Sequence, residues 1–474
     1  MKKIKFGTDG WRGIIADDFT FENVRLVSQA VANYVNKLSV GSQGIVVGYD
    51  NRFLSKQFAN TVTEVMLRNG IKVYLPDTSL PTPVTAFAVK TKNAAGAVML
   101  TASHNPPEYN GFKFIPDYAG PASPQITEAI EKNIALLQQG SKDQLPVPET
   151  VAEVERIFID PKPEYFEHIR QLVDSETIAS SGLHIMVNAM CGSGVGYLDV
   201  LLEDVGVRVE RRRCYRDPLF DGVLPEPTAE TLADSCLWVS SADGRFGLAL
   251  DGDADRFGII DAGGVFVEPN QFLPLLYDHL LTKKGLKGPV TRTVATTHLL
   301  DRIAEKHGQQ VYETPVGFKF IAQNMLEKGC ILGGEESGGL SIRGHIPEKD
   351  GILAGLLAAE IVAVHGKSLR QLSEETAKTY GGQLYSKRFD IHTSEEQKQR
   401  VLEKLERFNP ANIAGTTVKE RVTLDGVKLV LDTSEWVLVR VSGTEPLFRV
   451  YVESLRPERI NELGQATARE IGLV

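Results

Sequence analysis

The stretch Ile45-Val46-Val47-Gly48-Tyr49 is a short apolar run, and it begins a unit that recurs along the chain. A segment with the apolar spacing of a helix follows it and ends at Asn69-Gly70, and residues 71–75 form a second apolar run. Two short apolar runs on either side of a helix predict a strand–helix–strand unit with parallel strands and a right-handed crossover. This unit predicts an α/β fold.

The same order of elements occurs twice more. The second copy has strands at 184–188 and 207–209 around a helix that stops at Gly206; the third has strands at 291–297 and 310–312 around a helix at 299–307 that stops at Gly308. In each copy a glycine stands where a helix C-cap takes the left-handed conformation. The copies share elements and not residue identities. We therefore predict three α/β domains.

The last part of the chain has a different pattern. From about Tyr380, alternating stretches at 427–431 and 436–441 are separated by turns, and a strand at 449–453 and a helix at 457–471 follow. This pattern predicts a smaller α+β domain. Proline and acidic residues cluster at 143–151, which is typical of a domain boundary. The predicted domains are residues 1–148, 149–262, 263–376 and 377–474.

Composition excludes several classes of protein. The 474 residues are 42% hydrophobic and 24% charged, which excludes wholesale disorder. Lys and Arg number 52 against 61 Asp and Glu, and the net charge of −9 argues against partners such as nucleic acid or an anionic membrane. The four cysteines form no CxxC pair, so neither a zinc site nor a disulfide framework is indicated. A cytoplasmic protein is the expected reading.

No segment of the sequence predicts membrane insertion. The N-terminal residues 1–5 carry the charge of a signal peptide, but Gly7-Thr8-Asp9-Gly10 follows where an apolar core would be needed. The most apolar stretch, residues 351–364, contains Glu360 and is too short to span a bilayer. We predict that it is a buried helix.

The first candidate site is Thr101-Ala-Ser-His-Asn-Pro-Pro-Glu-Tyr-Asn-Gly-Phe-Lys113. It follows an apolar run, so Ser103 is expected on a loop at the carboxyl end of a strand, where open α/β sheets bind ligands. His104 could activate the serine hydroxyl, and Lys113 could hold an anion. The alternative is an Asn-Pro turn with a capping serine.

The second candidate is Asp251-Gly-Asp-Ala-Asp-Arg256, which follows another apolar run. Carboxylates at i, i+2 and i+4 on a loop can converge on one hard cation, and three protein ligands would leave magnesium open positions. An EF-hand is excluded because Arg256 and Ala262 stand where that loop needs glycine and glutamate. A solvated Asp-Gly turn remains the alternative.

Three further stretches carry groups that bind anions or hydroxyls. Arg440-Val-Ser-Gly-Thr-Glu-Pro-Leu-Phe-Arg449 offers two guanidinium groups, two hydroxyls and a glycine that lets backbone amides approach a phosphate. Phe6-Gly-Thr-Asp-Gly-Trp-Arg-Gly13 places Arg12 between glycines, and Gly333-Gly-Glu-Glu-Ser-Gly-Gly339 offers acceptors suited to neutral hydroxyls. Ordinary turns or exposed loops are the alternatives.

Two other stretches are weaker signals. Gly192-Ser-Gly-Val-Gly-Tyr197 is similar to a dinucleotide-binding fingerprint, but Tyr197 stands where close helix–strand packing needs Gly or Ala. A plain strand-to-helix turn is the favoured interpretation. Arg211-Arg-Arg213 with Arg216 could form a basic patch, but on an acidic protein a solvated edge is favoured.

Taken together, the candidate stretches resemble the α-D-phosphohexomutase family. Six motifs lie in the family's order over essentially the whole chain: FGTDGWRG, TASHNPPEYNGFK, DGDADRFG, PVGFK, GGEESGG and RVSGTEPLFR. The resemblance implies an enzyme, an intramolecular phosphotransferase of the isomerase type. It also implies four domains around a central cleft, three with mixed, mostly parallel sheets flanked by helices and a smaller C-terminal α+β domain.

The resemblance also implies roles for individual residues. Ser103 matches the serine that is phosphorylated in the family, and its phosphate would complete a Mg²⁺ shell formed by Asp251, Asp253 and Asp255. The residues implied around the transferring phosphoryl group are Arg12, His104, Lys113 and Arg256, with His104 or Lys113 as the candidate acid or base. Those implied for substrate binding are Lys319, Glu335 and Ser337 for the sugar, and Arg440, Ser442, Gly443, Thr444 and Arg449 for the phosphate that is not being transferred.

The chain is most similar to phosphoglucomutase-type members. We expect it to interconvert glucose 1-phosphate and glucose 6-phosphate, with glucose 1,6-bisphosphate as intermediate and activator, and to act as a monomer or weak dimer. PVGFK and the double glutamate of GGEESGG lean toward glucose-specific members. Phosphomannomutase, phosphoglucosamine mutase and a synthase that releases the bisphosphate remain alternatives, as does a catalytically silent sugar-phosphate binder, which the intact Ser103 and aspartates disfavour.

One position departs from part of the family. Some dual-specificity members carry a histidine at the end of the sugar loop, where this chain has Gly339. If a base is needed on that side, His345 is the nearest candidate in the sequence, and a loop histidine without a catalytic role is the alternative.

Overall fold

The computed structural model describes residues 4–7, 9–140, 154–442 and 447–474. The chain divides into two compact units. The first unit contains the described residues of Met1–Glu268 together with Met325–Glu327 and Ser337–Arg370; the second contains Pro269–Asn324, Lys328–Glu336 and the described residues of Gln371–Val474. The predicted boundary at 148/149 and the cluster of proline and acidic residues at 143–151 lie outside the described residues.

The first unit contains two mixed sheets. Its strands are β1 Trp11–Ile14, β2 Ile45–Tyr49, β3 Val73–Pro76, β4 Gly96–Leu100, β5 Tyr109–Pro116, β6 Arg156–Ile159, β7 His184–Asn188, β8 Arg208–Arg212, β9 Arg245–Leu250, β10 Phe257–Asp261 and β11 Val265–Val267. Its helices up to residue 268 are α1 Phe21–Lys37, α2 Ser55–Arg68, α3 Thr82–Thr91, α4 Pro124–Gln139, α5 Lys162–Leu172, α6 Ser175–Ser180, α7 Leu198–Asp204 and α8 Ala233–Ser240.

The first sheet has the order β1-β5-β4-β2-β3-β6. Strands β4, β2, β3 and β6 are parallel, whereas β5 returns antiparallel to β4 and pairs with β1. The central strands β2 and β4 are buried at every position, since helices cover both faces of a parallel sheet. The strand β6, which follows the predicted domain boundary in the sequence, pairs with β3 and so completes this sheet.

The second sheet has the order β11-β10-β9-β7-β8 and repeats this design. Strands β8, β7 and β9 are parallel, and β10 returns antiparallel to β9. A strand that returns through a short connection must run antiparallel, because a parallel return needs a crossover of a dozen or more residues. The mixed sheets follow from these two short returns, one in each sheet.

The second unit contains parallel strands and an antiparallel sheet. The elements that follow residue 268 in the chain are α9 Pro269–Thr282, β12 Val290–Thr293, α10 Leu299–Lys306, β13 Val311–Thr314, α11 Phe318–Lys328, β14 Leu332–Gly334, β15 Leu340–Ile342, α12 Gly351–His365, α13 Leu369–Thr379, β16 Tyr385–His392, α14 Glu395–Glu406, β17 Asn412–Ile413, β18 Thr416–Val422, β19 Val427–Leu431, β20 Trp436–Val441, β21 Leu447–Ser454 and α15 Pro457–Ile471. Of these, β15 and α12 belong to the first unit. Strand β12 lies parallel to both β13 and β14. The C-terminal sheet, β16-β21-β20-β19-β18-β17, is antiparallel, as the predicted α+β domain requires.

The glycines at the ends of the three predicted repeat helices adopt the conformation that the sequence indicated. Gly70, Gly206 and Gly308 have φ angles of 74°, 90° and 63°, all left-handed. A residue with a Cβ is strained in this conformation, so glycine ends the helix at low cost. These predicted C-caps are confirmed.

Helix α12, predicted as a buried helix, packs within the first unit. It contacts α6, α7, β9 and β10, and its residues from Gly351 to Ile361 are buried. Gly355 permits the close approach to α7, since a Cβ there would lie 2.7 Å from the Leu198 Cδ2 atom. Asp350 begins the helix by accepting the backbone N–H groups of Ile352 and Leu353, each at 2.9 Å.

Within the described ranges, no single helix has the length and hydropathy needed to cross a membrane. Two consecutive helices with a bend between them, Gly351–His365 and Leu369–Thr379, reach that length and hydropathy only when they are taken together.

Candidate active site

Two loops in equivalent places carry the strongest candidates. The loop with Ser103 leaves the carboxyl end of β4 and returns as β5, and the loop with the three aspartates leaves the carboxyl end of β9 and returns as β10. A Cβ on Gly252 would collide with the Ser103 carbonyl oxygen. Glycine at 252 therefore allows the two loops to come into contact.

Ser103 is held in an unusual backbone conformation that points its hydroxyl at the aspartates. Its φ angle is 52°, in the left-handed region, and its N–H donates to Thr101 Oγ1 at 2.9 Å. Its Oγ donates to Asp251 Oδ2 at 2.7 Å and lies 3.2 Å from His104 Nδ1. Strained residues persist where the surrounding structure holds them, and they cluster at functional sites.

The three aspartates form a buried group that fits a hard cation. Asp251, Asp253 and Asp255 are fully buried, and each offers a carboxylate oxygen within 4.8 Å of the other two. The Oδ1 atoms of Asp253 and Asp255 have no hydrogen-bond partner among the described residues. Burial raises the pKa of Asp251 well above its ordinary value, and the neighbouring carboxylates raise it further. A divalent cation would offset this repulsion and occupy those oxygens.

Two buried lysines complete the charge balance of the cluster. Lys113 Nζ lies 2.8 Å from Asp9, 2.9 Å from Asp253 and 3.1 Å from Asp255, and Lys349 Nζ lies 2.6 Å from Asp255 and 3.2 Å from Asp9. Burial opposes the charge on Lys113, but these carboxylates hold its pKa well above its ordinary value. The two ammonium groups therefore offset the negative charge of the three carboxylates that they contact, Asp9, Asp253 and Asp255.

The other predicted residues of the first unit lie around Ser103. Arg12 Nη1 donates to Asn105 Oδ1 at 2.5 Å, and the Arg256 backbone N–H donates to Asp251 Oδ1 at 3.0 Å. Burial lowers the pKa of His104 well below its ordinary value, and the charges of Arg256 and Arg12 lower it further. His104 is therefore neutral near pH 7, and a neutral imidazole can accept a proton.

The second unit carries the described residues predicted to bind the sugar and the phosphate, except Ser337. Buried Glu335 accepts the Gly317 N–H at 3.1 Å, which ties it to the PVGFK stretch that contains Lys319. Arg440 and Arg449 lie directly opposite each other on β20 and β21, and the Ser442 N–H donates to Leu447 O at 2.9 Å. Gly443 and Thr444 lie outside the described residues. Ser337 belongs to the first unit and lies just before β15.

The sequence reasoning missed several residues of the cluster in the first unit. Lys349 and Asp9 pair with the predicted lysine and aspartates, and Thr82 Oγ1 donates to Asp253 Oδ2 at 2.7 Å. Arg52, almost fully buried, donates to carbonyl groups of the serine loop. A charged pair after a glycine-rich loop (Lys349-Asp350) and an Asp-x-Arg at a strand end (Asp50 to Arg52) were the only available signals.

The weaker sequence candidates have structural explanations. His345 is buried, lying 2.9 Å from Asp350 Oδ2 through Nε2 and 3.1 Å from His168 Nε2 through Nδ1, so its ring nitrogens are engaged in a packed network. Arg211 pairs with Asp199 and Glu203, as expected of a solvated edge. A Cβ on Gly192 would lie 2.7 Å from Gly252 O, so this glycine serves packing against the aspartate loop.

Known protein families match this chain over nearly its whole length. Four domain descriptions of phosphoglucomutase/phosphomannomutase match the chain: alpha/beta/alpha domain I at residues 3–140, domain II at 163–264, domain III at 268–380 and the C-terminal domain at 393–470.

Individual proteins agree with these matches. A phosphoglucomutase/phosphomannomutase of Thermococcus kodakarensis is 32% identical, with 96% of each chain covered, and a phosphoglucomutase of Komagataeibacter xylinus is 30% identical over 96% of this chain and 88% of that one. Further relatives at 30–31% identity carry the name probable phosphoglucosamine mutase. The crystal structure of a provisionally named phosphomannomutase of Thermus thermophilus superposes with a TM-score of 0.85 at 35% identity and covers 99% of both chains.

Proposed function

Because this chain belongs to the phosphoglucomutase/phosphomannomutase family and is therefore a phosphohexomutase, we propose that it interconverts glucose 1-phosphate and glucose 6-phosphate. Phosphorylated Ser103 and glucose 1,6-bisphosphate are the intermediates. The observation that carries the proposal is the Ser103 hydroxyl, 2.7 Å from Asp251 in a buried cluster of three aspartates and two lysines.

In the first half-reaction the sugar hydroxyl attacks the phosphorus of phosphorylated Ser103. The new sugar O–P bond forms as the serine O–P bond breaks, and the hydroxyl proton passes to a base. His104 or Lys113 is the proposed acid or base. His104 Nδ1 lies 3.2 Å from Ser103 Oγ, the leaving atom of this step, which takes up a proton while the sugar hydroxyl gives one up on the opposite side of the phosphorus. Lys113 and Lys349 balance the charge of the phosphoryl oxygens.

The aspartates are proposed to hold Mg²⁺ together with the serine phosphate. The ion would neutralise charge on the phosphoryl group as a Lewis acid. The chain contributes the three buried carboxylates, and Thr82 orients one of them by donating to Asp253.

In the second half-reaction the bisphosphate has turned round and returns its other phosphate to Ser103. The phosphate that is not transferred is assigned to Arg440, Ser442, Gly443, Thr444 and Arg449. Arginine pairs suit this task because a guanidinium binds phosphate oxygens through two parallel N–H groups. Lys319, Glu335 and Ser337 are assigned to the sugar, whose hydroxyls must be bound in both orientations.

The choice of glucose rests on fewer residues than the choice of reaction. PVGFK, the paired glutamates 335 and 336, and Gly339 in place of a histidine support glucose. The names of the relatives include phosphoglucomutase, phosphomannomutase and phosphoglucosamine mutase. Mannose phosphate and glucosamine phosphate are therefore the second candidates for the substrate.

One panel of substrates tests the proposal. Glucose, mannose and glucosamine 1-phosphates are each supplied with Mg²⁺, with and without the corresponding 1,6-bisphosphate, and the 6-phosphate is measured. Turnover of glucose 1-phosphate with the highest kcat/KM supports the proposal. A higher value for another sugar would reassign the substrate, net accumulation of bisphosphate would indicate a synthase, and no turnover at all would indicate a binding protein.

The proposal includes a cytoplasmic monomer or weak dimer. None of the four cysteines, all of which lie in the described ranges, forms a disulfide, in keeping with a reducing compartment. Light scattering behind a sizing column would measure the oligomeric state.

A further inference from the structure

Arg52 lies directly beneath the loop that carries Ser103. Only 1% of its surface is exposed, which is rare for an arginine without compensating partners. Its partners are backbone carbonyls: Nη2 donates to Ser103 O and Asn105 O, each at 2.6 Å, and Nη1 donates to Pro106 O at 2.6 Å and Tyr109 O at 3.0 Å. One guanidinium thus binds four carbonyl groups of one loop.

Two further groups contact the guanidinium, the Asp50 carboxylate and the Phe220 ring. Asp50 Oδ2 lies 3.2 Å from Arg52 Nε, and the Asp50 Oδ1 atom accepts the Arg52 N–H at 3.0 Å and the Ser55 hydroxyl at 2.8 Å. The Phe220 ring lies 4.8 Å from Arg52 Cζ and packs as a cation–π partner. Because both partners of the ion pair are buried, dissolved salt screens their attraction much less than that of a surface pair.

The loop needs such a support because it is strained at the reacting residue. Ser103 has a φ angle of 52°, in the left-handed region, which is unfavourable for a residue with a Cβ. This conformation turns the Ser103 carbonyl toward Arg52 and its hydroxyl toward Asp251. Asn105, whose carbonyl is also bound by Arg52, accepts from Arg12 through its side chain.

We propose that Arg52 is a positioning residue for phosphoryl transfer, which holds Ser103 in its left-handed conformation and so aims the hydroxyl at the aspartate cluster. It acts through the loop backbone and touches no reacting atom. This inference rests on the proposed function for its kinetic consequence, but the loop conformation on which it depends is independent of the sugar used.

Lysine cannot replace arginine in this role. A lysine carries its donors on one nitrogen, whereas the planar guanidinium places two nitrogens side by side and can serve carbonyls on both. Arg52→Lys therefore keeps the positive charge beside Asp50 but loses some of the carbonyl contacts, and it is the decisive variant. Arg52→Ala is a second variant, in which added guanidinium ion can be tested for rescue.

The experiment compares Arg52→Lys with Arg459→Lys. Arg459 is the matched control, since it is also largely buried and donates to a carbonyl, that of Ala414, but lies on α15 outside the assigned machinery. Three quantities are measured: kcat and KM for whichever hexose phosphate the wild type prefers, amide hydrogen exchange of residues 101–111, and the thermal midpoint.

For Arg52→Lys we expect kcat to fall about 100-fold, as for a misplaced reacting group, with KM within about threefold of wild type. Exchange should accelerate within residues 101–111 and stay unchanged elsewhere. Arg459→Lys should keep kcat within about twofold of wild type, and guanidinium should restore part of the activity if Arg52→Ala folds.

Two results would overturn the inference. In the first, Arg52→Lys keeps wild-type kcat and wild-type exchange in residues 101–111. In the second, exchange rises throughout the first unit and KM rises as kcat falls, which is the signature of general destabilisation. If the wild type turns over no hexose phosphate, the proposed function fails, and the exchange of residues 101–111 still decides whether Arg52 holds the loop.

Discussion

Asp425 and Arg440 form an ion pair in which the Asp425 Oδ2 atom lies 2.8 Å from Arg440 Nη2. The same oxygen accepts the N–H of Val316 at 2.9 Å, in the PVGFK stretch. The turn between β18 and β19 thus connects the PVGFK stretch with the arginine on β20. The ion pair holds Arg440 in one orientation, which would lower the entropic cost of binding a phosphate at the site proposed above.

Replacing this arginine should weaken substrate binding. Arg440→Ala removes charge-assisted hydrogen bonds that are each worth roughly 1.5–3 kcal/mol, so we expect KM for glucose 1-phosphate to rise about 10–100-fold. Steady-state kinetics check this, with Arg388→Ala as the control, because Arg388 is exposed on the same sheet and pairs with the nearby Asp390. An unchanged KM would show that the phosphate site has been misplaced.

Ser103→Ala should abolish turnover and leave the fold intact. The substitution removes the proposed phosphoryl carrier and leaves the buried Asp251 Oδ2 atom without the hydrogen bond from Ser103, so the free energy of unfolding should fall by only about 1–3 kcal/mol. Intact-mass measurement of the wild type should reveal a phosphorylated fraction that is absent from the variant. Substantial activity in Ser103→Ala would refute the serine assignment.

Removal of the metal should silence the enzyme and destabilise it. The buried aspartates repel one another, so Mg²⁺ at 100 times its dissociation constant should add about 2.7 kcal/mol to the free energy of unfolding. Asp253→Asn should reduce both the thermal shift caused by Mg²⁺ and the activity, whereas Asp221→Asn, which replaces an exposed acid, should change neither. Activity in excess chelator would mean that the aspartates hold no metal.

Lys428 gives the stability a defined pH dependence. Burial lowers its pKa from 10.5 to about 8, and its ammonium donates to Val294 O, Glu313 Oε1 and His298 Nε2. Between pH 8 and 10.5 the unfolded chain keeps this proton and the folded chain has lost it, so the unfolded state binds more protons. The free energy of unfolding should therefore rise with pH in this window, by on the order of 3 kcal/mol from this group.

Denaturant titrations at several pH values measure this contribution. Lys428→Met should remove the rise, and Lys419→Met, which replaces an exposed lysine of the same sheet, should preserve it. A rise of equal size in Lys428→Met would assign the pH dependence to other groups.

The preference for glucose over mannose should be modest. The two sugars differ only in configuration at C2, so we expect a ratio of about tenfold in kcat/KM, or about 1.4 kcal/mol in the transition state. Both sugars are compared at a saturating concentration of the bisphosphate activator. An equal or higher efficiency with mannose 1-phosphate would overturn the substrate assignment and leave the mutase assignment standing.

The sequence predicted what local patterns determine. The strand at 45–49, the glycine C-caps and the C-terminal strands at 427–431 and 436–441 coincide with the structure, because apolar runs and left-handed glycines act within a few residues. The predicted carboxylate group of Asp251, Asp253 and Asp255 also converges.

The missed residues depend on contacts between distant parts of the chain. Lys349 reaches Asp255 from 94 residues away, and Arg52 reaches the Ser103 carbonyl from 51 residues away. A charged residue that is buried by tertiary packing looks much like a surface charge in a single sequence, so the local signals at Lys349-Asp350 and Asp50-x-Arg52 could not have shown which partners these residues contact.

Helix α12 also bears on how the chain is synthesised. The ribosome completes β10 at Asp261, but α12, which packs on β9 and β10, ends only at His365. At about 5–20 residues per second, the interval between the two lasts about 5–20 s. During this time the emerging second sheet exposes apolar surface that α12 covers later. Nascent chains of this enzyme should therefore be clients of ribosome-associated chaperones.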